Sequence, residues 1–356
     1  MSKPIKVLIV EDSSVMREIL MDILSGESGI EVVGTAPDVQ IARRKIKDLD
    51  PDVVTLDVEL PGMNGLSFLE KIMRLRPTPV VMISGYTKDN SDMAYRALEI
   101  GAVDVVGKST VNLDISLAEK ADEIIQKVKA AARANVAGFR SCLSRSAPVP
   151  TTAPISAAML TNKVICIGAS AGGVEAMRYI IEKLPSRCPP ILYAQHMPQE
   201  FTRRFAERLD EISELRVQEA ANQMEISAGH VYLAPGGSHL QLEMLKGTYV
   251  CRVDDGSRIN GYRPSIDVLF QSAARIAGAN AVGAILTGMG RDGAEGLLAM
   301  RQAGALTLGQ DEATSLIYGM PRVAAELKAV ERQVPLRKFA EEIVEACSRR
   351  RTTKSA

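Results

Sequence analysis

A single serine lies in a glycine-rich segment whose residue types suit either phosphate binding or nucleophilic catalysis. The segment GASAG, residues 168–172, follows the apolar stretch Val164–Ile167 and precedes a predicted helix that starts near Val174. A dinucleotide-binding loop would carry glycine in place of Ser170, and a Walker loop would need Gly-Lys-Ser/Thr. The pattern G-x-S-x-G fits a strand-to-helix turn that presents a serine hydroxyl. Glycine-rich turns between a strand and a helix are also common without any catalytic role. A catalytic serine is therefore indicated only if the chain also supplies a base and an acid near it.

His196 and Asp292 follow two further apolar stretches and could be the base and the acid that a serine nucleophile needs. His196 comes directly after Ile191–Ala194, and Asp292 lies in the glycine-dense segment TGMGRDG after Ala281–Leu286. Because the carboxyl ends of parallel strands meet at one edge of a sheet, both side chains are predicted to lie near Ser170. For Asp292 alone, a helix N-cap is an equally good interpretation.

The remaining histidines and the cysteines offer no second constellation of this kind. His230 and His239 flank the segment VYLAPGGSHL, predicted as a strand and turn, and we interpret them as structural, surface or substrate-rim residues. The five cysteines are scattered without metal-ligand spacing, which favours reduced thiols, and Cys166 and Cys251 are predicted to be buried.

Five polar side chains follow apolar stretches in the first 130 residues and are predicted to share one sheet edge. They are Glu11, Asp12, Asp57, Ser84 and Lys108. Three carboxylates in one place repel one another, and a divalent cation relieves that repulsion; an all-oxygen ligand set favours Mg²⁺. The ion would direct a phosphoryl group to Asp57, and Ser84 and Lys108 would hold the phosphoryl oxygens. The alternative for Asp12 is a helix N-cap.

Alternating apolar stretches and helical periodicity predict an α/β fold for both halves of the chain. In the first half we predict strands at Lys6–Val10, Glu31–Gly34, Val53–Leu56, Pro79–Ser84 and Val103–Val106, each followed by a helix. Residues 136–161 are rich in Ser, Thr, Pro and Ala, lack acidic residues, and are predicted to form a partly extended linker. The predicted division is a first domain at 4–130, a linker at 131–161, a second domain at 162–346 and a tail at 347–356.

Composition excludes several classes of function. The chain has 356 residues, with 43 basic and 43 acidic ones, and this balance argues against a general nucleic-acid binder. Aromatic residues make up only 4%, which disfavours base stacking. No apolar run approaches the roughly 20 residues that cross a bilayer, and the N-terminus lacks the layout of a signal peptide. We therefore expect a cytoplasmic protein without membrane insertion.

The motifs of the first half resemble those of response-regulator receiver domains over residues 4–130. They are VLIVEDSSVMREIL, VVTLDVELPGMNGLSFLEKI, VVMISGYT and GAVDVVGKS. The resemblance implies a flavodoxin-like (βα)5 fold and phosphorylation of Asp57. Ser109 stands where the family usually has proline, and Val105 where it has an aromatic residue; phosphoryl acceptance is expected to survive both. The implied metal ligands are Glu11 or Asp12, Asp57 and the main-chain carbonyl of Glu59.

The motifs of the second half resemble the catalytic domain of chemotaxis protein-glutamate methylesterases over residues 163–335. They include IGASAGGVEAM, QHMPQEFTRRFAERL, VYLAPGGSHL, RPSIDVLFQSAA, LTGMGRDGAEGL and QDEATSLIYGMP. The resemblance implies a doubly wound, mostly parallel sheet, with Ser170 as nucleophile, His196 as base and Asp292 as orienting carboxylate. It also implies an oxyanion donor at the main-chain N–H of Met289. Ala171 departs from relatives that carry threonine there.

Together the two resemblances imply a two-component enzyme that is activated by phosphorylation. Its substrates would be glutamate methyl esters, and receptor glutamines, in methyl-accepting chemotaxis receptors, and its action would give sensory adaptation. A chemotaxis histidine kinase would be the phosphodonor, Mg²⁺ would serve the first domain, and the esterase domain would need no cofactor. The alternative is a phosphorylation-dependent adaptor that binds receptors and catalyses nothing.

Overall fold

The computed structural model describes residues 3–85, 88–108, 120–144 and 163–348. These residues fold as two compact units, residues 1–137 and residues 138–356 of the chain. Within the described ranges, no helix has both the length and the apolar character that a bilayer crossing requires.

The first unit is a five-stranded parallel sheet with helices between its strands, which confirms the predicted flavodoxin-like fold. The strands are β1 (Ile5–Val10), β2 (Ile30–Ala36), β3 (Val53–Asp57), β4 (Val80–Gly85) and β5 (Asp104–Lys108). Their order is β2-β1-β3-β4-β5, and each neighbouring pair is parallel. The helices are α1 (Ser14–Ser25), α2 (Val39–Leu49), α3 (Gly65–Leu75), α4 (Lys88–Ile100) and α5 (Ala121–Ala131). This order brings the carboxyl ends of β1, β3 and β4 side by side.

The second unit contains a seven-stranded sheet in which all neighbouring strands are parallel, as expected for a doubly wound fold. Its strands are β6 (Val164–Ala169), β7 (Ile191–Gln195), β8 (Arg216–Glu219), β10 (His230–Leu233), β13 (Ala281–Ile285), β14 (Leu306–Gln310) and β15 (Arg332–Val334). The order is β15-β14-β13-β6-β7-β10-β8. β6 is buried along its whole length between β13 and β7, so the residues that follow these three strands share one edge.

A separate antiparallel sheet in this unit was not foreseen. It consists of β9 (Met224–Glu225), β11 (His239–Leu245) and β12 (Thr248–Asp254), in the order β11-β12-β9. The first two residues of the helix α6 (Val136–Ser144) belong to the first unit and the rest to the second. The other helices of the second unit are α7 (Gly173–Ile181), α8 (Gln199–Ile212), α9 (Ile266–Ile276), α10 (Ala294–Gln302), α11 (Met320–Glu326) and α12 (Phe339–Ser348). The apolar faces of β11 and β12 pack into the same core as α9, which ties the small sheet to the large one.

The expectation of an extended linker is wrong for residues 136–144, which form α6. Phe139 and Cys142 are one helical turn apart and buried, and Arg337 donates to the main-chain carbonyls of Ser141 and Cys142 at 3.1 and 3.3 Å. An apolar face and two capped carbonyls stabilise a helix despite the linker-like composition. Residues 145–162 of the predicted linker lie outside the described part of the chain.

Two smaller expectations concern cysteines. The predicted tail begins at Cys347, but α12 continues to Ser348 and Cys347 is buried, so the tail begins later than predicted. Cys166 and Cys251 are buried as predicted, and burial raises the pKa of both thiols. All five cysteines are free thiols, in agreement with the sequence-based expectation.

Candidate active site

The base and acid predicted from the sequence are in direct contact. His196 follows β7 and its Nε2 lies 2.8 Å from Oδ2 of Asp292, which lies in the loop between β13 and α10. Both side chains are shielded from solvent, at 6% and 0% exposure. The other ring nitrogen, Nδ1, is buried and has no hydrogen-bond partner among the described residues. With Nε2 donating to the carboxylate, a neutral imidazole has its free acceptor at Nδ1.

The carboxylate of Asp292 is held at the start of α9. It accepts hydrogen bonds from the main-chain N–H groups of Ile266 and Asp267, at 2.7 and 3.4 Å, and from Ser265 Oγ at 2.8 Å. Burial on its own would raise the pKa of Asp292, but the hydrogen bond and charge of His196, with these donors, hold that pKa below its usual value. The N-cap of α10 is Gly293, so the interpretation of Asp292 as an N-cap is wrong.

The serine turn is held by hydrogen bonds to its own main-chain atoms. The N–H of Ser170 donates to Thr287 O at 3.0 Å, and its carbonyl accepts from Gly173 N at 2.8 Å, where α7 begins. Gly172 has a left-handed φ of +77°, and a Cβ added there would lie 2.7 Å from Leu316 Cβ. The hydrogen bonds of Ser170 use its main-chain atoms, and within the described ranges its hydroxyl bonds neither to His196 nor to another residue. The turn therefore fixes the main chain of the serine and leaves its hydroxyl without a partner.

Gln195 connects the serine turn to the histidine, and sequence reasoning missed it. Its buried side-chain amide donates to the main-chain carbonyls of Ser170 and His196, at 2.8 and 3.2 Å, while Tyr193 Oη donates to its Oε1 at 2.6 Å. The N–H of His196 also donates to Ala169 O at 3.1 Å. An amide at the end of the otherwise apolar strand ILYAQ is the signal that could have revealed it.

The loop after β13 passes directly over the serine. A Cβ built on Gly288 would lie only 2.7 Å from Ser170 Cβ, so glycine is required for this approach. Met289 is the next residue, and its main-chain N–H donates to no described residue. A free main-chain donor beside the serine is what an oxyanion site needs, although the role of Met289 stays a prediction.

Neither of the two other histidines bonds directly to His196 or Asp292 in the described part of the chain. His239 is buried, accepts from Ser265 N at Nδ1 (3.1 Å) and contacts Ser257 O through Nε2 (2.9 Å), so the surface or rim interpretation is wrong for it. His230 is the first residue of β10 and lies at the amino edge of the sheet, opposite the serine. The structural interpretation fits both residues.

A second buried carboxyl group, Asp267, lies beside the acid. Its Oδ1 accepts from Gly296 N at 2.7 Å, and its Oδ2 accepts from Asn260 Nδ2 at 3.0 Å. Burial, reinforced by the negative charge of Asp292 and opposed by the hydrogen bond from Gly296, raises the pKa of Asp267 to about 6. No sequence motif marks this pair of carboxyl groups, because the two residues meet only in the folded chain.

The raised pKa of Asp267 predicts a pH-dependent effect of Asp267→Asn on stability. At pH values between the unfolded and the folded pKa of Asp267, the native state binds more protons than the unfolded state. The contribution of Asp267 to stability therefore falls as pH rises through that window. The isosteric amide removes this loss. The free energy of unfolding is measured with urea for both proteins. The difference, variant minus wild type, should rise by about 2 kcal/mol between pH 4.5 and 7.5. A difference that does not vary with pH would contradict the assignment.

The carboxylates of the first unit also converge. One oxygen each of Glu11, Asp12 and Asp57 can be chosen so that all lie within 4.8 Å of one another, with Glu11 and Asp57 buried. This cluster of hard oxygen ligands fits a divalent cation such as Mg²⁺. The N-cap of α1 is Ser13, so the N-cap interpretation of Asp12 is wrong. Arg17, missed by sequence reasoning, donates to the carbonyls of Glu11 and Asp12 at 2.7 Å each.

The other predicted members of this site are only partly described. Glu59 donates its N–H to Asp57 Oδ1 at 3.4 Å, and its carbonyl stays the predicted ligand. Ser84 and Lys108 lie at the carboxyl ends of β4 and β5, in register with the end of β3, but their side chains are outside the described part of the chain. Ser109 also lies outside it, and Val105 is buried in β5.

Two family models match the chain, one for each unit. The model described as CheB methylesterase matches residues 165–343, and the model described as response regulator receiver domain matches residues 7–119. A solved structure, the Thermotoga maritima CheB methylesterase catalytic domain, superposes with a TM-score of 0.51 and 37% identity. It covers 51% of this chain and 97% of that one.

Several relatives match the chain over nearly its whole length. A protein-glutamate methylesterase/protein-glutamine glutaminase of Xanthomonas euvesicatoria is 51% identical over 350 residues, which are 96% of this chain and 97% of the relative. The protein of the same name in Agrobacterium fabrum is 50% identical over 352 residues, 99% of both chains. Both the receiver and the methylesterase resemblance inferred from motifs are confirmed.

Proposed function

Because the chain belongs to the CheB methylesterase family, we propose that it hydrolyses glutamate methyl esters of chemoreceptors and deamidates receptor glutamines. The observation that carries the proposal is the buried contact between His196 Nε2 and Asp292 Oδ2, one strand away from the G-x-S-x-G turn. Demethylation resets receptor signalling, so the protein acts in the sensory adaptation of chemotaxis.

The reaction begins with Ser170 Oγ as nucleophile on the ester carbonyl. His196 takes the hydroxyl proton at Nδ1, the nitrogen left free by the bond of Nε2 to Asp292. Asp292 stabilises the imidazolium through its negative charge. The protonated imidazole then gives its proton to the departing methoxide, methanol leaves, and water attacks the acyl-enzyme with His196 as base to release glutamate.

In this proposal, the main-chain N–H of Met289 donates a hydrogen bond to the oxyanion of each tetrahedral intermediate. Met289 lies in the loop that passes over the serine. A donor of this kind is typically worth about 3–4 kcal/mol of transition-state stabilisation. Deamidation follows the same sequence with ammonia in place of methanol. Every step uses groups of this chain and water, so the esterase domain is proposed to work without a cofactor.

The proposal is tested by the release of methanol from membranes that carry methylated chemoreceptors. We expect the full chain to release methanol, and a small phosphodonor with Mg²⁺ to increase the rate. Binding to the membranes without methanol release, with or without phosphodonor, would favour the adaptor alternative. Deamidation is followed in the same preparation as ammonia release from receptors that carry glutamine at the modified positions.

Control of the esterase is assigned to Asp57 as phosphoryl acceptor, with a chemotaxis histidine kinase as donor in the cytoplasm. Glu11, Asp12 and Asp57, with the carbonyl of Glu59, would hold Mg²⁺, which neutralises charge on the phosphoryl oxygens when bound. Ser84 and Lys108 are proposed to contact the phosphoryl oxygens. The clustered, partly buried carboxylates support this assignment.

Asp57→Asn should abolish both phosphate incorporation from acetyl phosphate and the stimulation of methanol release by that donor. The amide keeps the shape of the side chain but is a far weaker nucleophile than a carboxylate. Asp48→Asn, at an exposed position of α2, is the matched control and should keep the full stimulation. Stimulation that persists in Asp57→Asn would refute the assignment of Asp57, without affecting the esterase itself.

A further inference from the structure

A tight turn between β12 and α9 lies beside the proposed base and acid. Ile259 and Tyr262 exchange two main-chain hydrogen bonds, at 3.0 and 2.9 Å, and the two residues between them have φ values of +53° for Asn260 and +84° for Gly261. Two left-handed central residues and the sequence Asn-Gly are typical of a type I′ turn. Two main-chain hydrogen bonds close the turn, and its backbone conformation suits few other residue pairs.

One arm of the turn covers the imidazole. The ring of Tyr262 stacks on that of His196, with 3.7 Å between ring centroids and 4° between ring planes. A Cβ built on Gly290 would lie 3.6 Å from Tyr262 Oη. The tyrosine side chain therefore extends from the proposed base to the loop that carries the predicted oxyanion donor, Met289.

The first central residue of the turn, Asn260, contacts the acid. Asn260 Nδ2 lies 3.3 Å from Asp292 Oδ1 and 3.0 Å from Asp267 Oδ2, so one amide bridges two buried carboxyl groups. Ser265, three residues beyond Tyr262, donates to Asp292 as well. The same short segment thus contacts both members of the His196–Asp292 pair.

The imidazole needs such support, because its described hydrogen bonding is one-sided. His196 Nε2 is bonded to Asp292, whereas Nδ1 has no partner among the described residues. The torsion that rotates a histidine ring is broad, so one hydrogen bond leaves the ring free to tilt out of the productive plane. A parallel ring at van der Waals distance removes that freedom, and its π face also stabilises the imidazolium formed during reaction.

We propose that Tyr262 is a positioning residue whose ring, held by the Asn260–Gly261 turn, keeps the His196 imidazole in the plane in which Nε2 meets Asp292. This role rests on the proposed function, since it acts through the proposed base. The ring, and not the hydroxyl, is the part of Tyr262 that the role requires.

Tyr262→Leu and Tyr262→Phe separate the ring from the hydroxyl. Leucine keeps apolar cover over the imidazole but loses the flat π face, so kcat for methanol release should fall about 10- to 100-fold while KM changes less than about threefold. Phenylalanine should restore kcat to within about twofold of the wild type. Tyr249→Leu, at a half-buried tyrosine of the small sheet, is the matched control and should leave both constants unchanged.

NMR spectroscopy provides a readout that does not depend on activity. The chain has three histidines, so the imidazole C–H signals are few. The signals of His196 are identified as those that disappear from the spectrum of His196→Gln. Ring currents from Tyr262 should shift the His196 signals upfield in the wild type and in Tyr262→Phe. These signals should move downfield in Tyr262→Leu.

An unchanged kcat in Tyr262→Leu would overturn the proposal, as would an equal loss in Tyr262→Phe, which would assign the effect to the hydroxyl. A rise in KM with normal kcat would make Tyr262 part of the substrate wall, and would also overturn it. Failure of the proposed function is distinguishable, because the wild type would then release no methanol while the His196 signals would still report the stacking.

Discussion

Ser170→Ala should abolish methanol release from methylated receptors, with a loss in kcat on the order of 10⁴-fold or more. The hydroxyl is the only part of the residue that the substitution removes. The described hydrogen bonds of Ser170, to Thr287, Gly173 and Gln195, all use its main-chain atoms and are kept by alanine. The variant should therefore fold normally and lose only the nucleophile.

The measurement is methanol release at saturating receptor, with the melting temperature and membrane binding recorded on the same samples. Ser186→Ala, an exposed serine in the loop before β7, is the matched control and should keep wild-type activity. Retained membrane binding with no methanol release in Ser170→Ala would support the esterase over the adaptor alternative. Methanol release that survives the substitution would reject Ser170 as the nucleophile.

Asp292→Asn should lower kcat about 10⁴-fold. The carboxylate accepts from His196 Nε2, and an amide at this position can no longer enforce the tautomer that leaves Nδ1 free. It also loses the negative charge that stabilises the imidazolium. The main-chain donors Ile266 and Asp267, which face the carboxylate, would oppose any amide orientation that points the NH₂ group towards them.

The same variant should be less stable at neutral pH. The pKa of Asp292 is lowered in the folded state, so its charged form adds stability above the unfolded pKa, and that stability is lost as pH falls. Activity is therefore compared well below the melting temperature of the variant. Glu295→Gln, which removes an exposed carboxylate of α10, should change neither activity nor stability appreciably. A loss of less than about tenfold in Asp292→Asn would exclude the proposed role.

The two parallel sheets and the residues at their carboxyl edges follow from local sequence patterns alone. Apolar stretches of four to six residues, each followed by a helical pattern, mark strands buried on both faces. That pattern predicts the positions of the GASAG turn and of the carboxylates at the ends of β1 and β3. A residue at the carboxyl end of a parallel strand must lie at the carboxyl edge of the sheet. Composition is also a local property, and for residues 136–144 it wrongly predicted an extended linker. The segment is helical because Phe139 and Cys142 are buried against the rest of the chain.

Which side-chain atoms meet depends on how the strands and loops pack in the folded chain. β13 lies beside β6 although more than 100 residues separate them in the chain, and this strand order brings Asp292 to His196 Nε2. The bridging amide of Gln195 and the stacking of Tyr262 on His196 depend on the same arrangement. Local sequence preferences specify elements and turns, whereas contacts between distant residues depend on how the elements pack, which no local pattern encodes.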